Sequence, residues 1–304
     1  YEILIGLVGS EMCIRDRIQA GAALLTNLHL PNFLKGKLYQ GAGKTVCVPG
    51  LNCYSCPAAS GACPIGAFQA VVGSSKFSFS YYITGFLILL GVLLGRFICG
   101  FLCPFGWFQE LLHKIPTKKF STKKLKPLRY LKYAVLLVMV FLLPAFLVND
   151  VGMGNPFFCK YLCPQGVLEG AIPLSLANSG IRSALGSLFT WKFSVLLTVI
   201  VLSVIFYRPF CKWLCPLGAF YALFNRVSLF QIKVDKNKCV SCGKCAKACK
   251  MDVDVTKAPN HTECIRCGMC IRTCPTGAVR FRYGFGDGKD KTKAAKKAAE
   301  NNKQ

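Results

Sequence analysis

The chain has 304 residues and carries 38 Lys and Arg against 13 Asp and Glu, a formal net charge of +25. Only 17 % of it is charged while 53 % is hydrophobic, which argues against an ordinary soluble protein, and the length fits about two domains. The basic excess lies in loops beside apolar runs, so it points to membrane topology and not to nucleic acid.

Near the start, Leu7 to Arg17 read LVGSEMCIRDR, which resembles the translation of a sequencing-library adapter. Arg15, Asp16 and Arg17 stand where a signal peptide needs small residues. Residues 1–17 are therefore read as foreign to the fold, and Cys13 is set aside. Residues 18–230 read as a membrane domain. Apolar runs from Tyr81 to Ile98, Tyr130 to Val148 and Trp191 to Tyr207 approach the length of about 20 residues that crosses about 30 Å of hydrocarbon. Pro144 interrupts the second run, which a membrane helix tolerates. A fourth helix is expected around Ile18 to Leu30. The expected fold is an α-helical membrane bundle of three to four transmembrane helices, followed by an α+β, ferredoxin-like βαβ-type domain.

Loop charge sets the expected orientation. Lys114, Lys118, Lys119, Lys123, Lys124, Lys126 and Arg129 lie between the first two runs, whereas the 149–190 loop has only Lys160 and Arg182, balanced by Asp150 and Glu169. The positive-inside rule then places the 114–132 loop and everything after Arg208 in the cytoplasm, and the 149–190 loop outside. Residues 31–80 follow on the outside. Residues 284–304 are Lys-, Ala- and polar-rich and read as a basic, disordered tail.

The 19 cysteines face only three histidines, and their spacings are those of metal ligands. In residues 231–283, Cys239, Cys242, Cys245 and Cys249 are spaced C-x2-C-x2-C-x3-C, and Cys264, Cys267, Cys270 and Cys274 repeat the run before Pro275. This is the two-cluster 4Fe–4S pattern, in which the fourth cysteine of each run ligates the other cluster. One site takes Cys239, Cys242, Cys245 and Cys274; the other takes Cys264, Cys267, Cys270 and Cys249.

A second set of motifs flanks the apolar runs. Cys99/Cys103, Cys159/Cys163 and Cys211/Cys215 are three copies of C-x3-C-P, and residues four apart share a helix face. Cys63, Cys103, Cys163 and Cys215 each begin C-P-x-G, as does Cys274. Arg96 and Arg208 each precede the first cysteine of a pair by three, on the expected cytoplasmic side. Cys99, Cys103, Cys211 and Cys215 are thus candidates for one further metal centre, with the two arginines supplying positive charge. Cys159 and Cys163 can join Cys53, Cys56 and Cys63 in another, and Cys47 is spare. Neutral packed thiols, or outer disulfides, are the alternatives. Glu110 and His113 are candidate proton acceptors or an interfacial polar face.

These motifs resemble the membrane-bound polyferredoxin family, which includes the quinol dehydrogenase membrane component of periplasmic nitrate reductase. The resemblance covers about Leu51 to Arg282. It implies two 4Fe–4S clusters, one or two further iron–sulfur or metal centres, and electron transfer, as an oxidoreductase subunit, to or from a redox partner protein or quinol. It also implies a multi-pass protein of the bacterial inner membrane with its ferredoxin domain cytoplasmic. A copper reduction or maturation factor is the rival function. The third C-x3-C-P and the Cys53/Cys56/Cys63 segment depart from the nitrate-reductase type.

Overall fold

The computed structural model describes residues 2–74, 81–149 and 154–284; the basic tail falls outside them. The chain is mostly helical. Helix α1 (Glu2–Thr26) runs unbroken from the adapter-like segment into the expected fourth helix, and its Arg15 meets Glu110 at 2.8 Å. The order continues with α2 (Pro64–Gly73), α3 (Tyr81–Leu94), α4 (Pro104–His113), α5 (Leu125–Phe146), α6 (Gly166–Ala177), α7 (Ser187–Ile205) and α8 (Pro216–Phe224).

Among the described residues, α5 and α7 are long and apolar enough to cross a membrane. Only 28 % and 17 % of their spans are buried, and Leu137, Val138, Phe146, Trp191, Phe193, Leu197 and Val201 face outward. A soluble core helix would hide such side chains. The expected first run is shorter than its composition suggests: α3 stops at Leu94 because Gly95 takes a left-handed φ of 55°, the usual way to end a helix. In α5, Leu136–Leu142 is π-helical just before Pro144, where proline removes an N–H from the ladder.

Short half-helices fill the space between the long ones. Pro64, Pro104 and Pro216 each open one, where a missing N–H costs nothing. Leu51, Ile65, Phe105, Phe158, Phe210 and Tyr221, each at most 1 % exposed, form the centre of the core. Phe105 meets Phe210 edge-on at 5.1 Å, and Phe68 meets Phe141 likewise at 5.1 Å. Burying each ring contributes about 1.5–3 kcal/mol.

The C-terminal domain corrects one expectation. Its strands β1 (Phe230–Val234) and β2 (Val279–Tyr283) pair antiparallel, with Phe230 opposite Tyr283 and Val234 opposite Val279. A βαβ unit would need parallel strands. The two strands instead close a loop-rich segment holding two single-turn helices, α9 (Lys244–Ala248) and α10 (Met269–Arg272). The two cysteine runs share backbone geometry: Ser241 and Arg266, then Gly243 and Gly268, all have positive φ.

Candidate iron–sulfur sites

In the C-terminal domain two cavities separate the cysteines into mixed sets. One is lined by Cys239, Cys242, Cys245 and Cys274, the other by Cys249, Cys264, Cys267 and Cys270. Each takes three thiols from one run and one from the other. Burial pushes Cys264 up to about 11 and Cys270 up to about 12, so both are neutral thiols that must lose protons to bind metal.

In the helical domain the C-P-x-G copies fold alike. Cys63, Cys103 and Cys215 cap their helices in extended backbone. The Cys215 thiol accepts the N–H of Gly218, three residues on, at 3.3 Å, and Cys63 and Cys103 take the same N-terminal position on their helices. A side-chain acceptor bonded to the third helical N–H is ordinary capping geometry, here made by sulfur. Three helix N-termini therefore open at a cysteine, an arrangement suited to anionic centres. Two of the glycines lie close to a thiol of another segment. A Cβ on Gly66 would stand 3.7 Å from Cys159 Sγ, and one on Gly166 3.7 Å from Cys53 Sγ.

The copies combine in alternate pairs. The second and fourth bring together Cys99, Cys103, Cys211 and Cys215, all buried; this is the near site, beside the C-terminal domain. The first and third bring Cys63 to Cys159 and Cys163. These line a cavity of about 540 Å³ with Cys53 and Cys47; this is the far site. Cys47 thus enters the site, and Cys56 is not among its lining residues: its Sγ donates to Asn27 Oδ1 at 3.6 Å. The far thiols ring a cavity, and among the described residues no three His, Cys, Asp or Glu converge on a single ion. The cavity's lining by Cys53, Cys63, Cys159 and Cys163 is what fits a group of cubane size.

The near site is built by exchange. Arg96 donates to the carbonyl of Cys211 (3.4 Å), and Arg208 donates to that of Cys99. Each arginine also has a buried carboxylate: Arg96 pairs with Glu263 at 2.9 Å and Arg208 with Glu110 at 3.0 Å. Glu263 also pairs with Lys132 and Glu110 with Arg15, so each group keeps one positive charge in excess while its arginine clamps a thiol-bearing turn. Glu110 is buried in this pair and not on an interfacial face. At the far site Lys192 takes the arginine's place, donating to the Cys159 carbonyl at 3.1 Å.

Two ion-pair groups fix the C-terminal domain against the near site. Glu263, next to Cys264, accepts from Arg96 and from the fully buried Lys132. Burial alone raises the Glu263 carboxyl, but the two cations outweigh it and hold it at about 2. Asp252 pairs with Lys212 and Arg129, both at 3.3 Å, and accepts from Thr122. Arg266 donates to Leu94 O at 2.8 Å. Here Gly100 of the near site lies against the Ile265 carbonyl. Near and far sites are joined in turn by one strap, 49–53. Its Gly50 packs on the Cys103 turn, while Leu51, Asn52 and Cys53 line the far cavity. Gly50 is needed there, since a Cβ would come 2.8 Å from Cys103 Cα.

Sequence reasoning missed Lys132, Lys192, Asp252 and Glu263, which carry no motif, and Lys212, which sits at a variable position inside one. It also missed a readable signal. Six residues after each C-P-x-G cysteine stand Gln69, Gln109, Glu169 and Tyr221. Glutamine follows the first two copies; Glu169 accepts the Cys53 N–H at 3.2 Å and Tyr221 donates to Pro49 O at 3.1 Å, so the other two hold the strap.

Comparison with known proteins agrees with this layout. A family model described as a 4Fe-4S binding domain matches residues 61–81, 78–123, 132–172 and 188–237, together more than half of the chain. A second, also a 4Fe-4S binding domain, matches 232–253 and 258–280. An uncharacterized protein of Methanocaldococcus jannaschii is 32 % identical over 209 residues, covering 66 % of this chain and 77 % of that protein. The putative electron transport protein YccM of Escherichia coli is 28 % identical, covering 56 % of this chain and 45 % of its own. The methylamine utilization ferredoxin-type protein MauN of Paracoccus denitrificans is 28 % identical, covering 61 % and 56 %. No solved structure matches the chain.

Proposed function

This chain belongs to the 4Fe-4S binding, polyferredoxin-like family of electron-transport proteins, and from that premise we propose that it is a membrane relay of four cubane sites in series. The observation that carries this reading is continuity. The set Cys239, Cys242, Cys245 and Cys274 adjoins the set Cys249, Cys264, Cys267 and Cys270. The latter meets the near site at Gly100 and Ile265, and the strap links near to far. Clusters there supply one-electron transfer; the residues orient the thiols, cap them with amides and exclude water. Electrons enter or leave through a redox partner protein at the exposed Cys242 end, and through quinol or a second protein at the far site.

The expected orientation gains support from contacts. The 114–132 loop and the C-terminal domain bind each other through Thr122, Arg129 and Lys132, so both lie on one face, which the lysines make cytoplasmic. On the other side Asn178 donates to Gly36 O at 3.0 Å, so the 31–45 segment accompanies the 149–190 loop. Reporter fusions at Lys118 and at the C-terminus should read as cytoplasmic, and one at Asn178 as external. An external C-terminus overturns the scheme.

The number of sites is tested by metal analysis. Anaerobically loaded protein should hold about 16 irons with matching sulfide, four per cubane. A Cys103→Ser, Cys215→Ser variant should lose about four of them and keep the ferredoxin-type signals. Eight irons in both proteins would reduce the helical domain to an anchor, and stoichiometric copper would favour the copper-handling rival.

A further inference from the structure

Gln69 and Gln109 are each 0 % exposed and make the same three hydrogen bonds. Gln109 Oε1 accepts the Phe210 N–H at 3.2 Å. Its Nε2 donates to Cys211 Sγ at 3.2 Å and to Phe105 O at 3.3 Å. Gln69 Oε1 accepts the Phe158 N–H at 3.0 Å, and its Nε2 donates to Cys159 Sγ and to Ile65 O, both at 3.3 Å. In each case the sulfur is the first cysteine of the partner copy, and the anchoring amide belongs to the phenylalanine before it. The local sequences match as well: Phe-Cys-Lys-Tyr-Leu-Cys-Pro from Phe158 and Phe-Cys-Lys-Trp-Leu-Cys-Pro from Phe210.

The amide orientation is determined by the chain. A backbone N–H can only donate, so the side-chain oxygen must face Phe158 or Phe210, and the NH2 group then faces sulfur. Holding a backbone turn would need only the oxygen. Two independent sites also aim the nitrogen at a ligand sulfur.

A sulfur that ligates iron gains electron density when its cluster is reduced, so an N–H aimed at it stabilises the reduced state more than the oxidised one. The arginines add positive charge nearby, but their bonds go to the Cys211 and Cys99 carbonyls and not to sulfur. We infer that Gln69 and Gln109 are paired positioning residues that raise the reduction potentials of the far and near clusters respectively, each through one amide N–H donated across to the opposite copy's first thiolate.

This rests on the relay reading of the two sites. The test is an EPR-monitored redox titration of the full-length loaded protein, with the near signal identified by its loss in Cys103→Ser, Cys215→Ser and the far signal by its loss in Cys63→Ser, Cys163→Ser. Gln109→Leu removes every bond. Gln109→Glu can still accept the Phe210 N–H but offers sulfur no donor. With full iron retained, both should move the near midpoint negative, lowering its reduced-to-oxidised ratio about tenfold at the original midpoint, about 59 mV for one electron. The far midpoint should stay in place, and Gln69→Glu should do the converse. A Gln109→Glu protein with full iron and an unchanged near midpoint overturns the inference, since the glutamine then only anchors Phe210. Loss of near-site iron in both Gln109 variants also overturns it, making the role structural. Wild-type protein with no iron at these sites fails the relay reading instead.

Discussion

Glu263→Leu is expected to release the C-terminal domain from the helical domain. The substitution leaves Arg96 and Lys132, both 0 % exposed, without their shared carboxylate. Removing one partner of a buried ion pair costs about 3–5 kcal/mol, because the remaining charge stays uncompensated. Glu263→Gln should cost less, since its amide oxygen still accepts from one cation. Limited proteolysis between Phe224 and Phe230 would report the release, together with the denaturant midpoint of the C-terminal domain. If Glu263→Leu resists protease as well as the parent does, the triad is not what holds the two domains together.

Gly100→Val should uncouple the same two domains electrically while leaving the metals in place. A Cβ at Gly100 would overlap the Ile265 carbonyl oxygen, and backbone cannot yield as a flexible side chain does. Overpacking of this kind costs about 1–3 kcal/mol, and the cheapest relief is to move the cysteine run 264–270 away from Cys99 and Cys103. Iron content should therefore remain full. Re-reduction of the near-site signal by electrons supplied at the Cys239–Cys245 end should slow strongly in rapid-freeze experiments. Transfer at the parental rate would mean that electrons do not cross at this contact.

Much of this could be read from cysteine spacing, because ligands to one cluster must recur at fixed short intervals. The mixed ferredoxin sets and the grouping of Cys99, Cys103, Cys211 and Cys215 both follow from local repeats. The far site was half legible. Spacing grouped Cys53, Cys56 and Cys63, but which of Cys47, Cys53 and Cys56 faces the cavity depends on how the strap turns around Gly50. Helix length was misread at Leu94, since apolar composition continues through Gly95 while the backbone does not. The buried cations Lys132 and Lys212 look like surface lysines in sequence, and only the docked acids Glu263 and Asp252 explain their burial. Gln69 and Gln109 were legible in principle, since both stand at one offset from a motif cysteine. What hides them is that residue identity within the repeat ends at its glycine, and the shared offset holds Gln, Gln, Glu and Tyr in the four copies.

The crossed arginine bonds also bear on how the protein is made. Arg96 is 115 residues from the carbonyl it holds, and Arg208 is 109 from its own. At a synthesis rate of about 5–20 residues per second, the first thiol pair waits on the order of ten seconds for the second. It waits longer still for Glu263 to neutralise Arg96. Half of the near site thus stands open in the nascent chain, and a cluster delivered then would find two thiols and an unmatched cation. The second thiol pair exists only once residue 215 is made, so a ribosome stalled between residues 103 and 211 should yield a chain in which iron delivery cannot complete the proposed near site.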